Sequence, residues 1–127
     1  MSSSELIGYC LEKTGAFKDF PFGSDCTVIK VRAGKFTRIF TQIFVHNGKP
    51  TATLNCDKMT GDFYRNLYQG IIVRGYHCPP VQQPYFNTFP LDGSVPDDFI
   101  KQMADHSYET VIGKLPKYAR KLLEELQ

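Results

Sequence analysis

Few residues in this chain have both the type and the spacing that chemistry requires. His77-Cys78 sets an imidazole beside a thiol, the pairing a nucleophile or a metal site would use. Adjacent residues on a strand point to opposite faces, so these two side chains would meet only across a turn. Cys78 also has no base with an orienting partner of its own, and the pattern predicts a buried thiol beside a hydrogen-bonded histidine. Asp97-Asp98 is a paired carboxylate, but it falls in the first turn of a helix, where negative charge favours the helix dipole. His106, between Asp105 and Ser107, reads as a half-buried, hydrogen-bonded imidazole. No GxxxxGK, GxGxxG, HExxH or GxSxG string occurs, and the four cysteines lack zinc-ligand spacing. The sequence therefore predicts no catalytic residue, no metal and no cofactor.

Charge is the more informative feature. The formal net charge is only +2, which excludes a strongly basic tail of the histone kind. Its distribution is uneven. Lys30, Arg32, Lys35, Arg38 and Lys49 fall between Thr27 and Cys56 with no acid among them, a local charge of +5. Asp92 to Glu109 carries −4, and the bases Lys114, Lys117, Arg120 and Lys121 follow it. Lys30, Arg32 and Arg38 are interleaved with Phe36, Phe40 and Phe44. Cations on a sheet face neutralise phosphates and exposed rings stack on bases, so this is a nucleic-acid platform pattern. Phenylalanines packed beneath a helix, with solvated edge cations, give the same pattern. Lys117 and Lys121 share a helical face at i, i+4 and would extend a phosphate-contacting surface.

The elements that position these residues can be read from periodicity. Ser2 and Glu5 stand at capping-box spacing before a short helix that Gly15 ends, and Asp19 to Gly23 is an aromatic loop. Cys26–Ala33 and Lys35–Val45 alternate as strands, with Phe36, Arg38, Phe40, Gln42 and Phe44 on one side of the second. Asn47-Gly48 is a hairpin turn into a third strand, Pro50–Cys56. Asp57 caps a helix through Met59, Phe63 and Leu67 that Gly61 weakens and Gly70 ends. Ile71–Tyr76 and Tyr85–Phe89 are two further strands. Ser94 to Asp97 opens a helix, with Pro96 in its first turn, that reaches about Lys114, and Pro116 opens the last, Lys117–Leu126. Strands and helices do not alternate, so the fold class is α+β: one domain, residues 1–127, with about five antiparallel strands and helices packed on them. A chain this long buries roughly two-thirds of its unfolded surface and needs no staple. The N-terminus shows no signal-peptide pattern, no apolar run approaches a membrane span, and the scattered thiols suit a reducing compartment. A cytoplasmic protein is expected.

Seven strings follow in order: Asp19-Phe20-Pro21-Phe22-Gly23, Leu54-Asn55-Cys56-Asp57, Gly75-Tyr76-His77, Asn87-Thr88, Leu91 to Asp98, Asp105-His106-Ser107-Tyr108 and Lys114-Leu115-Pro116-Lys117. Together they resemble the MmcQ/YjbR family of small bacterial proteins over nearly the whole chain. The family's usual His-Trp before Asn-Thr is Tyr85-Phe86 here. The resemblance implies an α+β fold similar to secretion chaperones and a DNA-binding role. It also draws attention to a set of polar residues, Tyr76, His77, Asn87, His106 and Tyr108, whose convergence in space would make a binding site and whose separation would make them structural.

The resulting expectation is a non-enzymatic protein that binds DNA without strong sequence preference. Lys30, Arg32, Lys35 and Arg38 would hold phosphates, joined by Lys114, Lys117 and Lys121, with Arg74 contributing beside a turn. The alternative is a protein-interaction or chaperone-like module, including self-association into a homodimer. An enzyme or small-molecule binder would need Arg74, His77, Asn87 and His106 to share one pocket.

Overall fold

The first helix begins where its capping signal lies. In the computed structural model, which describes all residues from Met1 to Gln127, the Glu5 amide donates to Ser2 Oγ and the Ser2 amide to Glu5 Oε1. This closes a capping box and opens α1 (Ser3–Leu11). Gly15 then turns the chain with φ +77°, and a Cβ there would lie 2.7 Å from the Arg32 carbonyl oxygen and 2.9 Å from Leu123 Cδ2. Glycine serves this crossing both for its conformation and for its lack of bulk.

Beyond it come β1 (Ala16–Asp19), β2 (Cys26–Ala33), β3 (Phe36–His46), β4 (Lys49–Asn55) and α2 (Lys58–Leu67). The chain continues through β5 (Val73–Arg74), a 3-10 turn (Gln83–Tyr85), β6 (Phe86–Pro90), α3 (Asp97–Ile112) and α4 (Lys117–Glu125). All strands pair antiparallel, in the order β1-β2-β3-β4-β6-β5. The sheet thus has six strands, one more than the periodicity predicts, because Ala16–Asp19 adds to the outer edge of β2. The segment expected as a strand over Ile71–Tyr76 contracts to Val73–Arg74. There the buried Gly75 sits so close to Phe86 that any Cβ would lie 2.7 Å from the Phe86 Cβ, and Cys78 N donates to Gly75 O in a turn. Pro96 is the residue before α3 rather than part of its first turn. Asn47 and Gly48 both take positive φ, as the β3–β4 hairpin turn requires.

The core lies between one face of the sheet and α1, α3 and α4. Leu6, Cys10, Ile29, Val31, Phe40, Ile43, Leu54, Phe89, Ile100, Met103, Val111 and Leu123 are buried there. A bulge sets which residues of β3 reach it. Ile29 pairs with Thr41 and Lys30 with Ile39, so Phe40 is an extra, unpaired residue. Cross-strand partners share a face. Phe36 (opposite Ala33), Arg38 (opposite Val31) and Ile43 (opposite Ala52) therefore lie on the helix side, whereas Phe44 crosses to the reverse face and packs on His77 at 5.6 Å. The regular alternation that put Phe36, Arg38, Phe40, Gln42 and Phe44 on one side fails at this bulge. The link between β5 and β6 runs along the reverse face, with the Tyr76 ring tilted against His46 at 5.0 Å and the Thr53 and Thr88 hydroxyls paired at 2.8 Å on the same face.

Gly61 in α2 has a packing reason. A Cβ at this position would lie 2.6 Å from Cys56 Sγ and 2.8 Å from Arg65 Nη1. Helix propensity alone would make Gly61→Ala stabilising by about 1 kcal/mol. Overpacking against the sulfur reverses the sign, and we expect a net loss of about 1–2 kcal/mol. A urea titration followed by far-ultraviolet circular dichroism measures it, and a raised midpoint would contradict the packing.

Candidate nucleic-acid interface

Two basic segments that are remote in sequence meet at one end of the sheet. The tip of the β2–β3 hairpin docks on α4: the Phe36 and Tyr118 rings lie 6.0 Å apart, and any Cβ on Gly34 would come within 3.0 Å of Leu122 Cδ1. On α4, Ala119 and Leu123 face the core while Tyr118 and Leu122 meet the hairpin. Lys35 Nζ and Arg38 lie 5.6 and 5.4 Å from the Phe36 ring centre. Lys117, Arg120 and Lys121 flank Tyr118 in an open hollow that also holds Glu124. The ring pair is therefore surrounded by five cations from two elements, none of them in an ion pair. Arg32, exposed on the reverse face, covers the Phe17 ring at 4.7 Å.

The remaining predicted cations divide. Lys30 is not available: its Nζ is bonded to Asp19 Oδ2 at 2.7 Å and most of its side chain is covered. Lys30 and Arg32 lie on the reverse face, opposite Arg38, so the basic strand pair is not a single platform. Lys114 is exposed in the link from α3 to α4. Arg74 sits on β5, at the other edge of the sheet from the hairpin. Arg120 and Tyr118 belong to the patch although the interleaved-aromatic pattern on β2 and β3 does not point to them. Their signal is the alternation of apolar and basic faces along 117–123.

The five polar residues do not converge. Tyr76 and His77 lie on the reverse face, where burial lowers the His77 pKa and favours the neutral ring. Asn87 is buried under α2, its Oδ1 taking a bond from Arg65 Nη1 and its Nδ2 donating to the Gly61 carbonyl. His106 Nε2 accepts from the Asp57 amide at 3.2 Å, one residue before α2. Tyr108 OH donates to the Thr14 carbonyl, and its ring packs edge-on against Phe40. The string Asp105-His106-Ser107-Tyr108 is thus a latch on α3. Asp105 accepts from Tyr9 and Lys13, and Ser107 Oγ donates to the Phe40 carbonyl while accepting the Asn55 amide. Arg74 and Asn87 are cross-strand partners on β5 and β6, but His77 lies on the reverse face and His106 against the amide of Asp57, so the four form no common site.

The sequence model of the YjbR family matches residues 11–110. The chain belongs to the YjbR family. It is 28% identical over 126 residues to the uncharacterized protein YjbR of Escherichia coli, in strains K12 and O157:H7 alike, an alignment covering 99% of this chain and 100% of either relative. The YjbR fold is also present in the Deinococcus radiodurans protein DR2400, a DUF419 domain. That structure superposes with a TM-score of 0.85 at 26% identity over 97% of this chain and 88% of its own. A Pseudomonas syringae protein shares the fold at 16% identity, with a TM-score of 0.68 over 87% of this chain and 98% of its own. In this member of the YjbR family the order-defining strings are largely the latch, the caps and the turns described above.

All four thiols are unpaired, and burial raises every one of them. Cys10, against the Thr41 hydroxyl, and Cys56, beside Arg65, are pushed up to about 11. Cys26 and Cys78 are partly exposed. In the native protein Ellman's reagent should therefore titrate Cys26 and Cys78 within minutes, and Cys10 and Cys56 only after unfolding. Rapid reaction of all four would contradict the burial. No helix is long and apolar enough to cross a membrane.

Proposed function

We propose that this YjbR protein is a non-enzymatic, cytoplasmic DNA-binding protein that holds the phosphate backbone on the hairpin–α4 patch with little sequence preference. The observation that supports this reading is the Phe36–Tyr118 contact, with Lys35 and Arg38 beside one ring and Lys117, Arg120 and Lys121 beside the other; none of the five is in an ion pair, although Glu124 shares the hollow on α4. Cations that need not break an ion pair gain the full benefit of counterion release. Lys114, in the link that leads into α4, extends the surface, whereas Arg32 lies on the reverse face. The raised thiols and the separated polar residues favour binding over nucleophilic catalysis.

Fluorescence anisotropy with labelled duplex DNA at two salt concentrations tests the proposal. With five phosphate contacts the logarithm of the association constant should fall with the logarithm of salt at a slope of about −4 to −5. Lys117→Gln with Lys121→Gln should flatten that slope by about 2 and weaken binding about tenfold or more at low salt. Lys30→Gln should change little, because Lys30 is already engaged by Asp19. Absence of binding at low salt would sink the proposal.

A further inference from the structure

We infer that the outer face of α2 is the interface of a two-fold symmetric dimer of this chain. Gly61 and Tyr64 of α2 are buried against the body. On the opposite side Met59, Phe63 and Leu67, spaced by four residues, form one apolar stripe that is 84%, 58% and 50% exposed. At roughly 200 Å² for a fully exposed large side chain, the stripe presents about 400 Å² of apolar surface, the size of the largest patch on a typical monomer, which is often functional.

Two observations select a second copy as the occupant. The first is area. Two such stripes face to face bury about 800 Å², close to the apolar share of a standard interface of about 1,600 Å². The second is symmetry. Met59 and Leu67 are equidistant from Phe63, so a two-fold axis through Phe63 sets two α2 helices antiparallel, with Phe63 on Phe63 and each Met59 on the other copy's Leu67. In that register Lys58 lies at the level of Tyr68 and Asp62 at that of Tyr64, so no like charges share a level, and Arg65 is turned to Asn87 and Pro84 of its own chain. The two helix dipoles oppose, which is favourable. Because α2 packs at the β6 end of the sheet and the basic patch lies at the β2 end, the dimer would leave both patches outward.

Sedimentation equilibrium of the full chain over a range from about 1 to 500 μM reads the association directly. The expected mass rises from the 14.5 kDa of one chain toward twice that value. Phe63→Asp and, separately, Met59→Glu should hold the mass at that of one chain throughout, with an unchanged circular dichroism spectrum. In a Cys26→Ser, Cys78→Ser background, Phe63→Cys should give a disulfide-linked dimer on mild oxidation. A wild-type protein that stays a single chain at every concentration overturns the inference and assigns the stripe to a different partner. Self-association that survives both charge substitutions overturns it as well, by moving the interface elsewhere.

Discussion

Replacing Phe40 with alanine is expected to cost about 3–5 kcal/mol, a large part of the stability of a domain of this size. Phe40 is fully buried and is the unpaired residue of the β3 bulge. Its ring meets Tyr108 edge-on at 5.3 Å and 79°, and its carbonyl accepts from Ser107 Oγ. Thr41, next in the chain, touches Cys10 of α1. The bulge is thus where β3, α1 and α3 are joined, and truncation leaves a cavity that three separate elements would have to move to fill. Phe44→Ala is the informative comparison. On an unbroken strand Phe40 and Phe44 would share a face and comparable losses would follow. With the bulge, Phe44 is half-buried on the reverse face against His77, and about 1–2 kcal/mol is expected. Urea unfolding of both variants, with the midpoint shift read at constant slope, checks the difference. Equal losses would refute the assignment of faces.

The same bulge shows where the sequence is readable and where it is not. The capping box of Ser2 and Glu5, the Asn47-Gly48 turn, the Asp57 cap and the break before Pro116 are short-range signals, and each appears where its residues are. Ala16–Asp19 has one aromatic and two charged residues in four positions, so its strand state comes from pairing with β2 and not from its own propensity. Ile71–Tyr76 has the composition of a strand, but the close approach of Gly75 to Phe86 ends it early. An extra residue in β3 leaves no mark in a string that alternates on either side of it, and so the faces of Gln42 and Phe44 could not be read. The basic patch depends on a contact between the hairpin tip and α4, elements far apart in the chain. The cations were legible as a local excess of charge. What could not be read is that Asp19 engages Lys30, that the hairpin register pairs Arg38 with Val31 and so sets it on the face opposite Lys30, and that Tyr118 joins Phe36.

Arg65→Ala should be the most damaging substitution at α2, at about 2–3 kcal/mol. Arg65 is nearly covered, and its guanidinium makes three contacts: Asn87 Oδ1 at 2.5 Å, Asp62 Oδ1 at 2.5 Å and the Pro84 carbonyl at 3.3 Å. It joins α2 to β6 and to the 3-10 turn before it. The loss would not come mainly from the ion pair, because Asp62 is substantially exposed and water can solvate its charge once the arginine is gone. It would come from Asn87. That side chain is buried, and its remaining bond is the long one from Nδ2 to the Gly61 carbonyl at 3.4 Å. Without Arg65 its oxygen is left in the core with no donor. Two comparisons separate these contributions. Asp62→Ala should cost well under 1 kcal/mol, since only the exposed partner is removed. In an Asn87→Leu background, where no oxygen is orphaned, Arg65→Ala should cost less than half of what it does alone. If the two losses simply add, the buried amide is not what makes Arg65 necessary, and the ion pair or the packing of its stem must carry the effect.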